Sequence, residues 1–368
     1  MGLENQALVK TDDLPIRHEG DVHSGKVRSV YWLTKEDSGR LAEENNYPVF
    51  PGSGLGVMVI SDRISAFECN WKSRNGLNGV PGKGAFLNAI SKHWFNRFDE
   101  EGLAKNHIVD TPHPLVWIVQ KAEPVMVEGI CRQYITGSMW RGYEKGDREI
   151  CGIKLPKDLQ EDQRLNELLI TPSTKGIMRG IPGILEEEDE NITRQQIVDN
   201  YEKFGFKDVL DVSIYESLLR RGFLLTEKDL KVNGKILADF KLELGYVRNV
   251  DGESEMIYID EPVTPDSARI WDMQAYNEEG RVVEESKEGF RQFLLKMSGI
   301  DPDILLNKHR MAERVEAARE YVVPTDEFMK VADTYRGIAE TITGKKVPQI
   351  ENPRGEIIDS LSGYGLVV

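Results

Sequence analysis

The sequence predicts an α+β fold, and three observations carry that reading. Short β-branched, aromatic and aliphatic runs punctuated by Gly and Pro fill the first third, a strictly alternating segment spans 236–246, and the chain from Lys287 onward has helical periodicity. In chain order, residues 27–33, 55–60 and 115–119 read as strands. A helix over 85–98 interrupts them, with Phe86, Leu87, Ile90, Trp94, Phe95 and Phe98 forming an apolar stripe. A further strand over 125–135 follows Pro124, which marks the expected hinge between domains. The acidic run Glu186-Glu187-Glu188-Asp189-Glu190 reads as a solvated loop ahead of a helix over 193–204, and another helix is expected over 213–225. In the alternating segment Ile236, Ala238, Phe240, Leu242, Leu244 and Tyr246 share one face, and Leu237, Asp239, Lys241 and Glu243 the other. Asp251-Gly252 turns it into a second strand over 256–260, so the region reads as a hairpin. Helices are expected over 287–297, 308–321 and 325–342.

The chain has 368 residues with 47 Lys and Arg against 62 Asp and Glu, a net charge of −15. At about 150 residues per domain this length suggests roughly two to three domains, and a 40% hydrophobic content is enough for real cores. So negative a chain argues against broad nucleic-acid or anionic-membrane binding, and any anionic substrate must be held by local Lys and Arg pockets. The three cysteines, Cys69, Cys131 and Cys151, contain no C-x-x-C pair, which indicates neither a disulfide framework nor a zinc site and suits a reducing cytoplasm. No secretory leader is read at the N-terminus, and no run approaches the roughly 20 apolar residues of a membrane span. Gly2 suggests myristoylation, but Gln6 stands where that motif needs Ser or Thr.

Several motifs only approximate nucleotide-binding signatures. Gly20-Asp-Val-His-Ser-Gly25-Lys26-Val27 lacks the hydroxyl of a P-loop and precedes a strand, yet a Gly-Lys turn can still cover phosphates. Gly52-Ser-Gly54-Leu-Gly56 is followed by a strand where a dinucleotide turn needs a helix. On the alternating strand, side chains two apart stand about 7 Å from one another. Asp239, Lys241 and Glu243 are therefore either an ordinary exposed face or a set in which carboxylates grip Mg²⁺ while Lys touches phosphate. Asp260 and Glu261 arrive on the partner strand, and register decides whether they share that face. Arg132-Gln-Tyr-Ile-Thr-Gly137-Ser138 and Thr264-Pro265-Asp266-Ser267-Ala268-Arg269 each set a cation beside a turn and a hydroxyl. Taken singly they read as surface ion pairs and a helix N-cap; taken together they suggest a phosphorylated substrate plus Mg-nucleotide.

Seven motifs in order then resemble the SAICAR synthetase family. They are Ser24-Gly-Lys26-Val-Arg28, Ser61-Asp62-Arg63-Ile-Ser65-Ala66-Phe67, Gly82-Lys83-Gly84, Arg132 to Ser138, Pro172-Ser173-Thr174-Lys175, Asp239-Phe-Lys241-Leu-Glu243-Leu-Gly245, and Asp260-Glu261 with Thr264-Pro265-Asp266. The arms on either side resemble the family's longer variants. The resemblance implies a β-rich N-terminal nucleotide-binding domain over 1–124, an ATP-grasp-like domain over 125–285 and a C-terminal helical segment over 286–368 packing on the core. It implies an ATP- and Mg²⁺-dependent ligase joining L-aspartate to the carboxylate of carboxyaminoimidazole ribotide (CAIR), with no nucleic-acid or membrane partner; a homo-oligomer is left open. By matching motif, Lys26, Arg28, Lys241 and Glu243 would bind ATP, and Glu243 and Asp260 would hold Mg²⁺. Arg132, Ser138 and Arg269 would hold the ribotide, Asp239 and Lys241 would line the reacting centre, and Lys83 and Lys175 are candidates for gripping aspartate.

The chain departs from the family pattern at Ser29 and Glu68, where Asp is common, and at Phe240 and Leu244, where Thr and Phe are commoner. None of these removes a proposed charge. The chemistry needs no nucleophilic Ser or Cys, and His93, His107, His113 and His309 read as packing or surface residues. Two rival readings use the same groups: a small-molecule kinase, and a non-catalytic nucleotide-binding protein.

Overall fold

The computed structural model describes residues 7–74 and 77–368. The Gly2 and Gln6 reading, and the first part of the N-terminal reading, lie outside these residues. The architecture is mixed α+β. An antiparallel five-stranded sheet runs in the order His23–Ser24, Arg28–Trp32, Leu55–Ile60, Val116–Gln120, Ile108–His113. Helix Lys83–Glu100 covers it, and the expected apolar stripe joins Val57, Val59, Val116 and Ile118 in one core. Helix Thr325–Thr343 packs on that helix, and strand Val322–Val323 pairs in parallel with Cys69–Ser73. Helix Lys287–Met297, by contrast, meets the second sheet through Glu288, which accepts from Arg269.

The second sheet has seven strands and is organised by one long strand, Lys235–Arg248. Its first half lies between Val127–Tyr134 and Ala268–Asp272, and its second half pairs with Ser254–Ile259 and Glu123–Pro124. The hairpin read from the sequence is present, with Gly252 in its turn at φ +84°. Helix Asp211–Val232 packs across this sheet through Tyr215, Leu219 and Phe223, whose ring lies 5.2 Å from that of Phe240. The approach is close enough to require Gly129, because a Cβ there would stand 2.4 Å from Leu219.

Three expectations are corrected. The alternation of 236–246 is not strict: the register shifts between Leu237 and Asp239, the mark of a β-bulge. Leu237 consequently joins Phe240 and Leu242 in the main core, whereas Ile236 and Ala238 pack with Tyr134 and Trp271 in a separate cluster. The helix expected over 193–204 is only Arg194–Asp199, capped by Thr193 and Gln196. Thr264 begins no helix; its hydroxyl and the Ser267 hydroxyl satisfy the backbone of a turn that feeds strand Ala268–Asp272.

Strand Ala268–Asp272 ends against Glu284, which accepts hydrogen bonds from Trp271 Nε1 (2.8 Å) and Ser286 Oγ (2.7 Å). Burial nonetheless pushes this carboxyl up from 4.5 to about 7. The folded state therefore holds the proton more tightly than the unfolded chain, so the stability it contributes is full below pH 4.5 and is lost as pH rises to about 7. Glu284→Gln is expected to flatten that window, raising stability at pH 8 relative to wild type by about 1–3 kcal/mol. Urea unfolding of both proteins at pH 4.5 and pH 8 checks it, and an unchanged difference between the two pH values would contradict it.

Candidate active site

The strand register sets three charged residues abreast. Asp239 on the central strand is the partner of Arg132 on one neighbour and of Arg269 on the other. Arg269 Nη1 donates to Asp239 Oδ2 at 2.5 Å and its backbone N–H to Oδ1 at 3.2 Å, while Arg132 Nη1 lies 3.5 Å from the same carboxylate. Asp239 is 5% exposed and Arg132 also 5%, so the solvated face and the surface ion pairs considered from the sequence are not what forms here. Arg132 also donates to Thr171 Oγ1 (2.8 Å), and Arg269 to Glu288 (3.0 Å). Arg132, Arg269 and Arg291 face two buried carboxylates, Asp239 and Glu288, so the cluster keeps one positive charge in excess, and the buried Nε groups of Arg269 and Arg291 have no partner. Such a site calls for an anion.

Gly137, at φ +58°, begins helix Gly137–Glu144, and a Cβ there would come 2.3 Å from Arg269 Nη2. That glycine lets the turn carrying Ser138 close on the arginine. Ser138, Arg132, Asp239, Lys241 and Arg269 all line one cavity of about 370 Å³, together with Lys26 and Glu68. An adjoining cavity of about 740 Å³ shares several of these residues and extends under Arg141, the acidic segment 186–189, and Lys308 to Arg314. The acidic run is therefore a wall of the cleft: Glu187 and Glu190 both pair with Lys308.

Two residues along the central strand from Asp239, Lys241 pairs with Glu128 on the neighbouring strand. Two residues further, Glu243 pairs with Lys175. The partner of Glu243 in the ladder is Ile259, so Asp260, at φ +60°, emerges beside it as the hairpin strand ends. Burial, followed by the charge of Asp260, raises the Glu243 carboxyl well above its ordinary value. Burial would raise Asp260 too, but Arg28 and Lys175 hold it below the usual carboxylate range. Arg28 Nη1 donates to Asp260 (2.9 Å) and Nη2 to Glu261 (2.7 Å). Two neighbouring carboxylates, one of them raised by the other's charge, suit a divalent cation that completes its shell with waters and phosphate oxygens. Among the described residues no group of three or more His, Cys, Asp or Glu side chains converges, so an all-protein metal cage is not formed.

Lys26 sits in the tight turn joining His23–Ser24 to Arg28–Trp32, exposed at the cleft mouth and 3.5 Å from Glu68. Lys83 lies one step behind the cleft lining, through Asp266. It is fully buried, pairs with Asp266 at 2.7 Å and does not line the cleft. Lys175 is near the two carboxylates rather than the Arg132 row.

Several residues facing the cleft escaped the sequence reading. Lys287, Glu288 and Arg291 share one face of helix Lys287–Met297, a spacing that could have flagged them. Burial pushes Lys287 down to about 8, against the opposing pull of Asp266. Arg141, three residues beyond Ser138 on its helix, lines the larger cavity. Glu128 and Asp189 carried no sequence signal beyond charge.

A single strand that sets a cation-rich, anion-demanding row four residues from a pair of metal-suited carboxylates defines an enzyme of charged small molecules. The family model described as SAICAR synthetase matches residues 21–302. The phosphoribosylaminoimidazole-succinocarboxamide synthase of Vibrio parahaemolyticus is 58% identical over 368 residues, covering all of both chains, and that of Vibrio cholerae 56% over the same span. Among solved structures, SAICAR synthase from Saccharomyces cerevisiae, complexed with SAICAR, superposes with a TM-score of 0.64 at 26% identity, covering 92% of this chain and 99% of that one. The chain belongs to the SAICAR synthetase family, the carbon–nitrogen ligases of purine biosynthesis. Among the described residues no helix is long and apolar enough to cross a membrane.

Proposed function

We propose that this chain condenses L-aspartate with the carboxylate of CAIR, consuming ATP and yielding SAICAR, ADP and phosphate, in the cytoplasm. The observation that carries the reading is that one strand, Lys235–Arg248, sets the Arg132–Asp239–Arg269 row, which lines the cleft, four residues from Glu243, beside which Asp260 emerges. Residues 1–124 and the ATP-grasp-like 125–285 would enclose the nucleotide, with 286–368 completing the cleft wall. A SAICAR synthetase of the same fold was solved with ADP, and the yeast relative with SAICAR, which supports both ligands.

A carboxylate resists amine attack because its carbonyl is electron-rich and oxide is a poor leaving group. In the proposed reaction a CAIR carboxylate oxygen attacks the γ-phosphorus and ADP departs, leaving an acyl phosphate. The aspartate amine then attacks the carbonyl carbon, the C–N bond forms, phosphate leaves, and the amine proton is lost. Lys26, Arg28 and Lys241 would offset charge on the phosphoryl group as it transfers. Glu243 and Asp260 would hold Mg²⁺, which supplies further charge compensation and orients the phosphate oxygens. Arg132, Ser138 and Arg269 would anchor the ribotide, with Asp239 fixing both guanidiniums. Lys175 remains the candidate for aspartate. The walls from the acidic segment and residues 308–314 would keep water from the acyl phosphate.

Product analysis tests this reading. Mass spectrometry after turnover with CAIR, aspartate and MgATP should show the amide and free phosphate in equal amounts. A stable phosphorylated ribotide without amide would mark a kinase instead.

A further inference from the structure

The hairpin of strands Ile64–Ala66 and Cys69–Ser73 pairs Ala66 directly with Cys69, so Phe67 and Glu68 form its two-residue turn. Both are left-handed, at φ +52° and +63°. Turns of this kind favour Asn, Asp and Gly, because a Cβ at positive φ meets the backbone, and a bulky aromatic there is a genuine outlier. The strained pair also lines the cleft. Strain persists only where the surroundings over-determine it, and it concentrates at functional sites.

The group that meets this turn is Arg314, which lies beyond the 21–302 segment matched by the family model. It belongs to helix Met311–Glu320 and is 3% exposed. Its Nε donates to the Ile304 carbonyl (3.1 Å) and its Nη2 to the Asn307 carbonyl (2.8 Å), which anchors the guanidinium. Its Nη1 donates to the Phe67 carbonyl at 3.3 Å and lies 3.5 Å from Glu68 Oε2. The other oxygen of that carboxylate, Oε1, is 3.5 Å from Lys26 Nζ. One carboxylate is thus shared between a buried arginine and the exposed lysine at the cleft mouth.

We propose that Arg314 is a positioning residue of the active site: it holds the Phe67–Glu68 turn and shares the Glu68 carboxylate, leaving the Lys26 ammonium available to the phosphates of the nucleotide. The inference rests on the nucleotide reading of Lys26. Without Arg314, Glu68 has Lys26 as its remaining cation, and a phosphate must compete with a full carboxylate for it. The segment after residue 302 then contributes to catalysis through geometry and charge, without touching substrate.

Steady-state KM values for ATP, CAIR and aspartate, with thermal midpoints, for Arg314→Gln, Arg314→Lys, Lys26→Gln and the double variant Arg314→Gln/Glu68→Gln test it. Arg314→Gln should raise KM for ATP about tenfold and the other two much less, Arg314→Lys should retain most of the affinity, and adding Glu68→Gln should bring KM for ATP back toward wild type. A uniform rise in all three constants with a lowered midpoint, unrelieved by Glu68→Gln, would make Arg314 a structural brace only and overturn the inference. So would an unchanged KM for ATP in Arg314→Gln when Lys26→Gln raises it. A wild-type KM for ATP in Lys26→Gln would instead refute the nucleotide assignment of Lys26, and the inference would fall with it.

Discussion

Glu243→Gln is expected to lower kcat/KM for MgATP on the order of a hundredfold, about 2.7 kcal/mol of transition-state stabilisation, while the protein stays folded. The isostere removes the charge that a divalent cation needs but keeps the side chain's volume on a strand whose opposite face is core. It also relieves repulsion from Asp260, which helps raise Glu243. Lys175 loses its partner, yet its side chain is 31% exposed and water can serve it. The thermal midpoint should therefore move by only a few degrees. Because the carboxyl is raised, wild-type kcat/KM for MgATP should also fall on acidification sooner than an ordinary carboxylate would dictate, as protonation removes the same charge. Near-wild-type kcat/KM for Glu243→Gln at low Mg²⁺ would sink the metal assignment.

The second large effect concerns Arg269. Its guanidinium spans two carboxylates, Asp239 and Glu288, and its Nε is buried without a partner. Arg269→Ala should cost about 3 kcal/mol of stability or more, since a buried pair loses one member. Arg269→Lys is the more informative variant because it keeps charge and loses the planar fork. Its KM for CAIR should rise roughly tenfold to a hundredfold, corresponding to about 1.5–3 kcal/mol, with KM for ATP nearly constant. An equal rise in both constants would refute the ribotide assignment. Arg132 should behave similarly, though its second tie to Thr171 fixes it more firmly.

The hairpin and the apolar helix 85–98 were legible because their periodicity is local. The charged residues of the central strand were legible as candidates, and the structure does bring Lys26, Arg132, Ser138, Asp239, Lys241 and Arg269 to one cavity. Their pairings were not legible. Asp239 meets Arg132 and Arg269 only because strands distant in sequence become neighbours, and a bulge between Leu237 and Asp239 decides which face each side chain takes. Lys83 was a candidate for aspartate by motif position alone, and its partner, Asp266, comes from a segment distant in sequence. The acidic run 186–190 is the exposed loop ahead of a helix that its composition suggests, but the pairing of Glu187 and Glu190 with Lys308 was not legible, because nothing local announces Lys308. Arg314 was silent for the same reason: its role depends on a turn whose strain appears only in the backbone angles.

The most direct measurement is ADP release with CAIR, aspartate and MgATP supplied together and with each omitted in turn. Sustained ADP formation, matched by amide and phosphate, is predicted only when all three are present. Amide formation without ATP, or undiminished ADP release without aspartate, would contradict a ligase that activates one carboxylate for one amine.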